Sequence, residues 1–174
     1  MSYYRAAQKS GRTFVCDHYQ AAVLYQLHNP KLPKPLRDEL RVYLPRKRAK
    51  IAAYEGHFGD AVISLDSILA APDRFVMLVR PQMILNDFSG CLPEKTRLLY
   101  GMWSGYRMKA DWPDAERAIE SAGGDLIECH ASGHARSNHL FSFIDRLNPL
   151  RILPVHTEAM GAFQRYFGEK CTTV

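Results

Sequence analysis

Strand-like apolar runs alternate with helix-like segments along this chain, and that alternation restricts its fold more than any other feature. Arg12–Asp17, RTFVCD, reads as a short strand, and Asp17 sits where a carboxylate caps the helix expected for HYQAAVLYQLH. Three prolines in NPKLPKPL remove backbone donors, so this stretch is expected to be an extended connector. LRVYLP then reads as another strand, RKRAKIAAYEGHF as a basic helix or loop, and ISLDSILAA as a short helix capped by Ser64 or Asp66.

RFVMLVR, Arg74 to Arg80, is the clearest sequence candidate for a buried strand, and TRLLYGMW is a further apolar-aromatic run. WPDAERAIESAGG has proline near its first turn, acidic residues early and glycines at its end, the ordinary boundaries of a helix. DLIECH leads to a helix predicted from about Ala135, and RILPVH to one from about Glu158. Leu140, Ile144 and Leu147 recur at helical spacing, with Phe141 and Phe143 widening a stripe expected to pack on the sheet. Strands alternating with helices imply an α/β fold, a mostly parallel sheet with helices on both faces, and one compact unit is the simplest expectation.

A length of 174 residues with 47% apolar content suffices for one buried core. No apolar run is long enough to span a membrane and the start MSYYRAAQKSGR lacks a secretory leader pattern, so a cytoplasmic protein is expected. Cys16, Cys91, Cys129 and Cys171 form no CxxC pair, which argues against a thiolate zinc site or a disulfide framework and for reduced thiols. A formal charge of +5 favours polyanionic partners without naming one.

The segment CHASGHARSNHLFSFIDRLNPLRILPVHTE holds four of the seven histidines. His130 and His156 are predicted at carboxyl ends of strands, where ligands gather in open α/β sheets. Ser132, Gly133, His134 and Ala135 precede a helix, where free backbone N–H groups hold anions; Ser132 as a simple helix cap is the competing reading. His156 reads either as a zinc ligand, with Glu158 steadying it, or as a hydrogen-bonded structural histidine. His130 either orients the loop or lines a ligand pocket, while His139 is expected on the surface and His18, His28 and His57 are expected to be structural or solvent-facing.

HASGHA followed by LNPLRILPVHTE, together with RPQM and YGMWSGY, resembles the carboxy-terminal part of β-CASP metallo-β-lactamase-fold hydrolases, including ribonuclease J-like enzymes. The interval from His134 to His156 matches that between the family's motif B and motif C histidines. The resemblance implies that His156 ligates zinc, that His134 acts catalytically at the scissile phosphate and that Ser132 and Gly133 form the phosphate-holding turn; the residues themselves add the Ala135 amide and His130 as candidates for holding that phosphate. It also implies a β-CASP-like α/β lobe over residues 1–123 and an RNA-specificity segment over residues 124–174.

These enzymes carry an amino-terminal HxHxDH signature that holds zinc, and no such string occurs here, so the chain is expected to correspond to an enzyme's back half. A catalytic zinc usually takes about three protein ligands, so His156 alone leaves the site short and hydrolysis is expected only when the missing ligands are supplied. An amino-terminal metallo-β-lactamase fragment is therefore an expected partner, and a homo-oligomer is the alternative, because apolar faces that such a fragment covers would otherwise be exposed. Two other functional readings remain open at this stage: a noncatalytic RNA- or partner-binding module, and a metallo-hydrolase of a substrate other than nucleic acid.

LPRKRAK is the densest positive stretch, with Lys31, Lys34 and Arg37 before it; Arg46, Lys47, Arg48 and Lys50 are candidates for RNA-backbone contacts or for an ordinary solvated face. Tyr100, Trp103 and Tyr106 either stack on exposed bases or pack beneath a lobe, and Gly105 is expected at a sharp turn in a hinge.

Overall fold

A computed structural model describes residues 1–35, 39–47, 56–130, 133 and 135–172, and in it Thr13–Asp17 forms strand β1 at the centre of a parallel sheet. On one side lies β2 (Leu40–Tyr43), with Phe14 opposite Leu40 and Asp17 opposite Tyr43; on the other lies β3 (Phe75–Met77), with Val15 opposite Met77. Successive β1 side chains point to opposite faces. Cys16 therefore packs with Ala21, Ala22, Leu40, Val42 and Phe58, whereas Val15 packs with Tyr43, Ile68 and Met83.

Helices cover both faces of this sheet, as the alternating pattern implies. Helix α1 (Ser2–Lys9), which the sequence analysis did not anticipate, buries Tyr4 and Ala7 and sets the Tyr4 ring edge-on to Phe14. Helix α2 (His18–Gln26) begins where the Asp17 side chain accepts from the Gln20 amide at 2.9 Å, which is the predicted cap. Ser64, one of the two proposed caps, starts α3 (Leu65–Ala70) by accepting from the Ser67 amide. RFVMLVR is shorter and less buried than expected: only Phe75–Met77 pair, and all three stay partly exposed because β3 has a neighbour on one side alone.

After α4 (Pro81–Asn86), strands β4 (Arg97–Tyr100) and β5 (Asp125–Glu128) make a second parallel sheet, connected through α5 (Trp112–Ser121). Helix α5 buries Trp112, Ala115, Ala118 and Ile119, and Gly123 leaves it at φ 64°, a left-handed conformation that glycine adopts without a Cβ clash. Met83 of α4 joins the core of the first sheet while Ile84 packs on Ala115 and Ala118, so one short helix ties both sheets together.

The expected single compact unit is instead two, Met1–His130 and Ala131–Val174. Strand β5, assigned from sequence to the second segment, hydrogen-bonds to β4 of the first unit. In the second unit, α6 (Ser137–Leu147) and α7 (Met160–Phe167) meet through Phe141, whose ring lies 4.9 to 5.2 Å from those of Phe163, Tyr166 and Phe167. The stripe expected to be buried is only partly so: Leu140, Phe141 and Ile144 are half-buried, whereas Phe143 and Leu147 are 58% and 61% exposed. RILPVH, expected as a strand, contributes a single bridge from Ile152 to Cys171, and Pro154 has no N–H with which to extend it. Leu150, Leu153 and Val155 are exposed beside it.

Burial, and secondarily the adjacent Asp17, pushes the Cys16 thiol from about 9 up to about 12. The folded state thus favours the neutral thiol, a contribution present below pH 9 and lost as pH climbs toward 12. Because the thiolate is the reactive form, exposed Cys91 and Cys129 are expected to alkylate in the native protein at pH 8, and Cys16 only after unfolding. Mass spectrometry of the alkylated protein checks this, and equal labelling of all thiols before unfolding would contradict it.

Candidate functional site

The parallel pairing of β4 with β5 brings their carboxyl ends together. The Cys129 amide donates to the Tyr100 carbonyl at 2.8 Å, and Nδ1 of His130 lies 3.0 Å from the Gly101 carbonyl oxygen. A carbonyl only accepts, so Nδ1 carries the proton in this contact and Nε2 is left to face a ligand. His130 thus offers an acceptor while its ring is neutral and a phosphate donor only when both nitrogens are protonated.

Tyr3 closes the same strand end from α1, its hydroxyl 3.2 Å from Cys129 Sγ. Gly101 leaves room for this contact, since a Cβ there would overlap that hydroxyl unless the Tyr3 side chain moved. Desolvation, reinforced by the Cys129 contact, pushes the Tyr3 phenol up to about 12, so it remains a neutral hydroxyl across the physiological range.

Within the predicted phosphate turn, Gly133 and Ala135 are exposed, and Ser132 and His134 lie outside the described residues. Helix α6 starts at Ser137 with Arg136 at its N-cap, two residues later than the start expected at about Ala135, so Ala135 precedes the helix, as Gly133 was expected to. Among the described residues, nothing lies within 4 Å of a Cβ built on Gly133.

His156 follows the Ile152 bridge and is exposed, with φ 55°. A β-carbon makes this left-handed conformation costly, by about 1–2 kcal/mol, and such positions gather at sites where geometry has been fixed for function. Glu158 is exposed nearby in sequence, and His139 is on the surface as expected. His18, by contrast, is buried, whereas His28 and His57 are exposed.

Among the described residues, no three His, Cys, Asp or Glu side chains come together as a metal site. Asp17 and Asp125, the other carboxylates near strand ends, are in ion pairs with Arg80 and Arg97. These residues do not fit a zinc ion by themselves, and no zinc-dependent step is assigned to them.

The basic stretch begins on a buried anchor. Asp87, 3% exposed, accepts from the Arg46 amide at 2.6 Å, while the side chains of Arg46 and Lys47 reach solvent. Burial first, and then Asp87, pushes the Tyr43 phenol up to about 12, so its hydroxyl stays a donor to that carboxylate. Arg48 and Lys50 lie outside the described residues.

The aromatic run separates by role. Tyr100 is buried, edge-on to Trp112 at 5.0 Å, and donates to the Trp103 carbonyl, which removes it from the stacking candidates. Trp103 is 59% exposed and Tyr106 44%, with their rings 5.7 Å apart and Lys109 Nζ 4.9 Å from the Tyr106 centroid. Gly105 serves this pair less as a hinge than as space, because a Cβ there would overlap the Trp103 ring. Arg107 holds the loop down through Glu116 and Glu128, each at 2.7 Å.

In the sequence Asp17 reads as a helix cap near a strand end, without metal-ligand spacing, and no motif there marks Arg80 as its partner. Placing each at the end of an apolar strand was the available signal for their pairing. For the basic stretch, Asp87→Ala is expected to destabilise the protein by about 1–3 kcal/mol, because it strands the Arg46 amide and the Tyr43 hydroxyl without an acceptor. The checks are a urea titration and amide exchange at Arg46; an unchanged midpoint with unchanged protection would show that the anchor is dispensable.

No curated protein matches the chain. Among the described residues no helix is long and apolar enough to cross a membrane. The segment from Asp125, the first residue of β5, to residue 173 is similar to the family described as the Zn-dependent metallo-hydrolase RNA specificity domain.

Proposed function

We propose that this chain is the β-CASP and RNA-specificity portion of a ribonuclease J-like, zinc-dependent phosphodiester hydrolase acting on RNA in the cytoplasm. The observation that carries this reading is the similarity of residues 125–173 to the RNA specificity domain of zinc-dependent metallo-hydrolases. The same segment contains HASGHA and LPVHTE, with His156 in a left-handed backbone. On this reading residues 1–123 form the β-CASP lobe and residues 124–174 the RNA-specificity segment.

The division of labour follows from the chemistry each residue offers. His134 acts at the scissile phosphate, while Ser132, Gly133, Ala135 and His130 hold that phosphate. His156 gives one metal ligand, and an amino-terminal metallo-β-lactamase-fold segment gives the others. Arg46, Lys47, Arg48 and Lys50 meet the RNA backbone as positive charges that do not read sequence. This portion alone binds and orients RNA without cleaving it.

Binding of a labelled single-stranded RNA to the full chain across a salt series tests the reading. Each lost backbone contact lowers the salt slope by about 0.7, so Arg46→Gln with Lys47→Gln is expected to reduce it by about 1.4 and to weaken binding. No RNA binding even at low salt would overturn the assignment. Adding a metallo-β-lactamase-fold fragment with the HxHxDH signature is expected to produce cleavage that His134→Ala abolishes. Binding without cleavage would favour a noncatalytic RNA-binding module.

A further inference from the structure

We propose that Arg80, positioned by Asp17 and Tyr19 at the carboxyl end of the three-stranded sheet, is a phosphate contact, and that its ligand is the RNA backbone. The choice of RNA rests on the function proposed above; the phosphate chemistry rests on the local geometry.

The sheet order β2-β1-β3 makes β1 a switch point, because the chain leaving β1 returns as β2 on one side while β3 lies on the other. In open α/β sheets the crevice above such a point is where ligands bind. Asp17 is the last residue of β1, and Arg80 follows β3 on the neighbouring strand. Both therefore stand at the carboxyl edge of the sheet, beside that switch point.

Asp17 is fully buried, and its Oδ2 lies 2.6 Å from Nη2 of Arg80, whose side chain is 47% exposed. That contact is close enough for an ion pair but falls outside hydrogen-bond geometry. The pair holds the guanidinium in place through Nη2, one of its three nitrogens. Tyr19, half-exposed in the first turn of α2, lies under the same group, with its ring centroid 5.7 Å from Cζ. An arginine held between a buried carboxylate and an aromatic ring loses little further freedom when it grips a phosphate.

A second feature lies in the same turn. His18, between Asp17 and Tyr19, is 4% exposed, and among the described residues its Nδ1 has no hydrogen-bond partner. Buried polar atoms normally have one. His18 also opens α2, whose amino end carries the positive end of the helix dipole. Because Asp17 offsets part of the arginine charge, the site is a single backbone contact rather than a tight anion pocket.

The test uses the full chain with two probes, single-stranded RNA and inorganic phosphate, followed by the Arg80 Nε–H resonance in NMR. Arg80→Gln is expected to lower the RNA salt slope by about 0.7, and Arg80→Lys to restore the slope without the full affinity, because charge returns without the fork. Asp17→Asn preserves a capping side chain and removes the charge, so the phosphate response of Arg80 is expected to weaken even where melting is unchanged. A merely structural Asp17 would change melting and leave that response alone. If RNA binds the wild type and Arg80→Gln equally, the Arg80 site is overturned while the RNA function stands. If RNA fails to bind but phosphate shifts Arg80 saturably, the RNA assignment falls and a free-phosphate site replaces it; no shift with either probe overturns the site altogether.

Discussion

A carboxylate taken wholly out of water requires partners, and Asp17 finds them on several elements at once. It ends the central strand, caps α2 through the Gln20 amide and draws in Arg80 from the chain leaving β3. Its backbone sits opposite Tyr43, the last residue of β2. The three strand ends, the start of one helix and an exposed arginine are thereby tied to a single buried group. Removing Arg80 leaves the buried Asp17 carboxylate uncompensated, whereas removing Asp17 frees a half-exposed arginine and a helix cap, so changes here reach both the sheet and its rim.

The second sheet makes a related point about where a functional segment begins. Similarity to the RNA specificity domain starts at Asp125, yet that residue opens a strand whose hydrogen-bonding partner, β4, lies earlier in the chain. The segment's first strand is held by the preceding lobe, and Arg107 strengthens the attachment by pairing with Glu128 as well as Glu116. Backbone pairing continues through Cys129, which places His130 against Gly101. The geometry of the first histidine in the motif region therefore depends on residues outside the family segment.

Local chemistry was legible wherever one residue determined it. Asp17 and Ser64 announce their caps, Pro113 and Gly123 bracket α5, and the apolar run ending at Asp17 gives the central strand. Alternation of strands and helices gave the α/β class. What depends on partners was not legible: RFVMLVR has the composition of a buried strand but occupies a sheet edge, and Phe143 and Leu147 have the spacing of a core stripe but remain exposed. RILPVH has strand-like residues, yet forms one bridge because Pro154 lacks a donor. Among the candidate site residues, neither the left-handed backbone of His156 nor the Asp17–Arg80 pair across two strands follows from local sequence.

On the proposed reading, this chain handles RNA, and a metallo-β-lactamase-fold segment bearing the HxHxDH signature supplies most of the zinc coordination. The most direct measurement is zinc per chain by elemental analysis of protein purified without chelator, beside His156→Ala. The account predicts well under one zinc per chain, with no difference between the two proteins, because one imidazole does not hold a catalytic ion. A stoichiometry near one or more in the wild type, lost in His156→Ala, would contradict it and show that the chain completes its own metal centre.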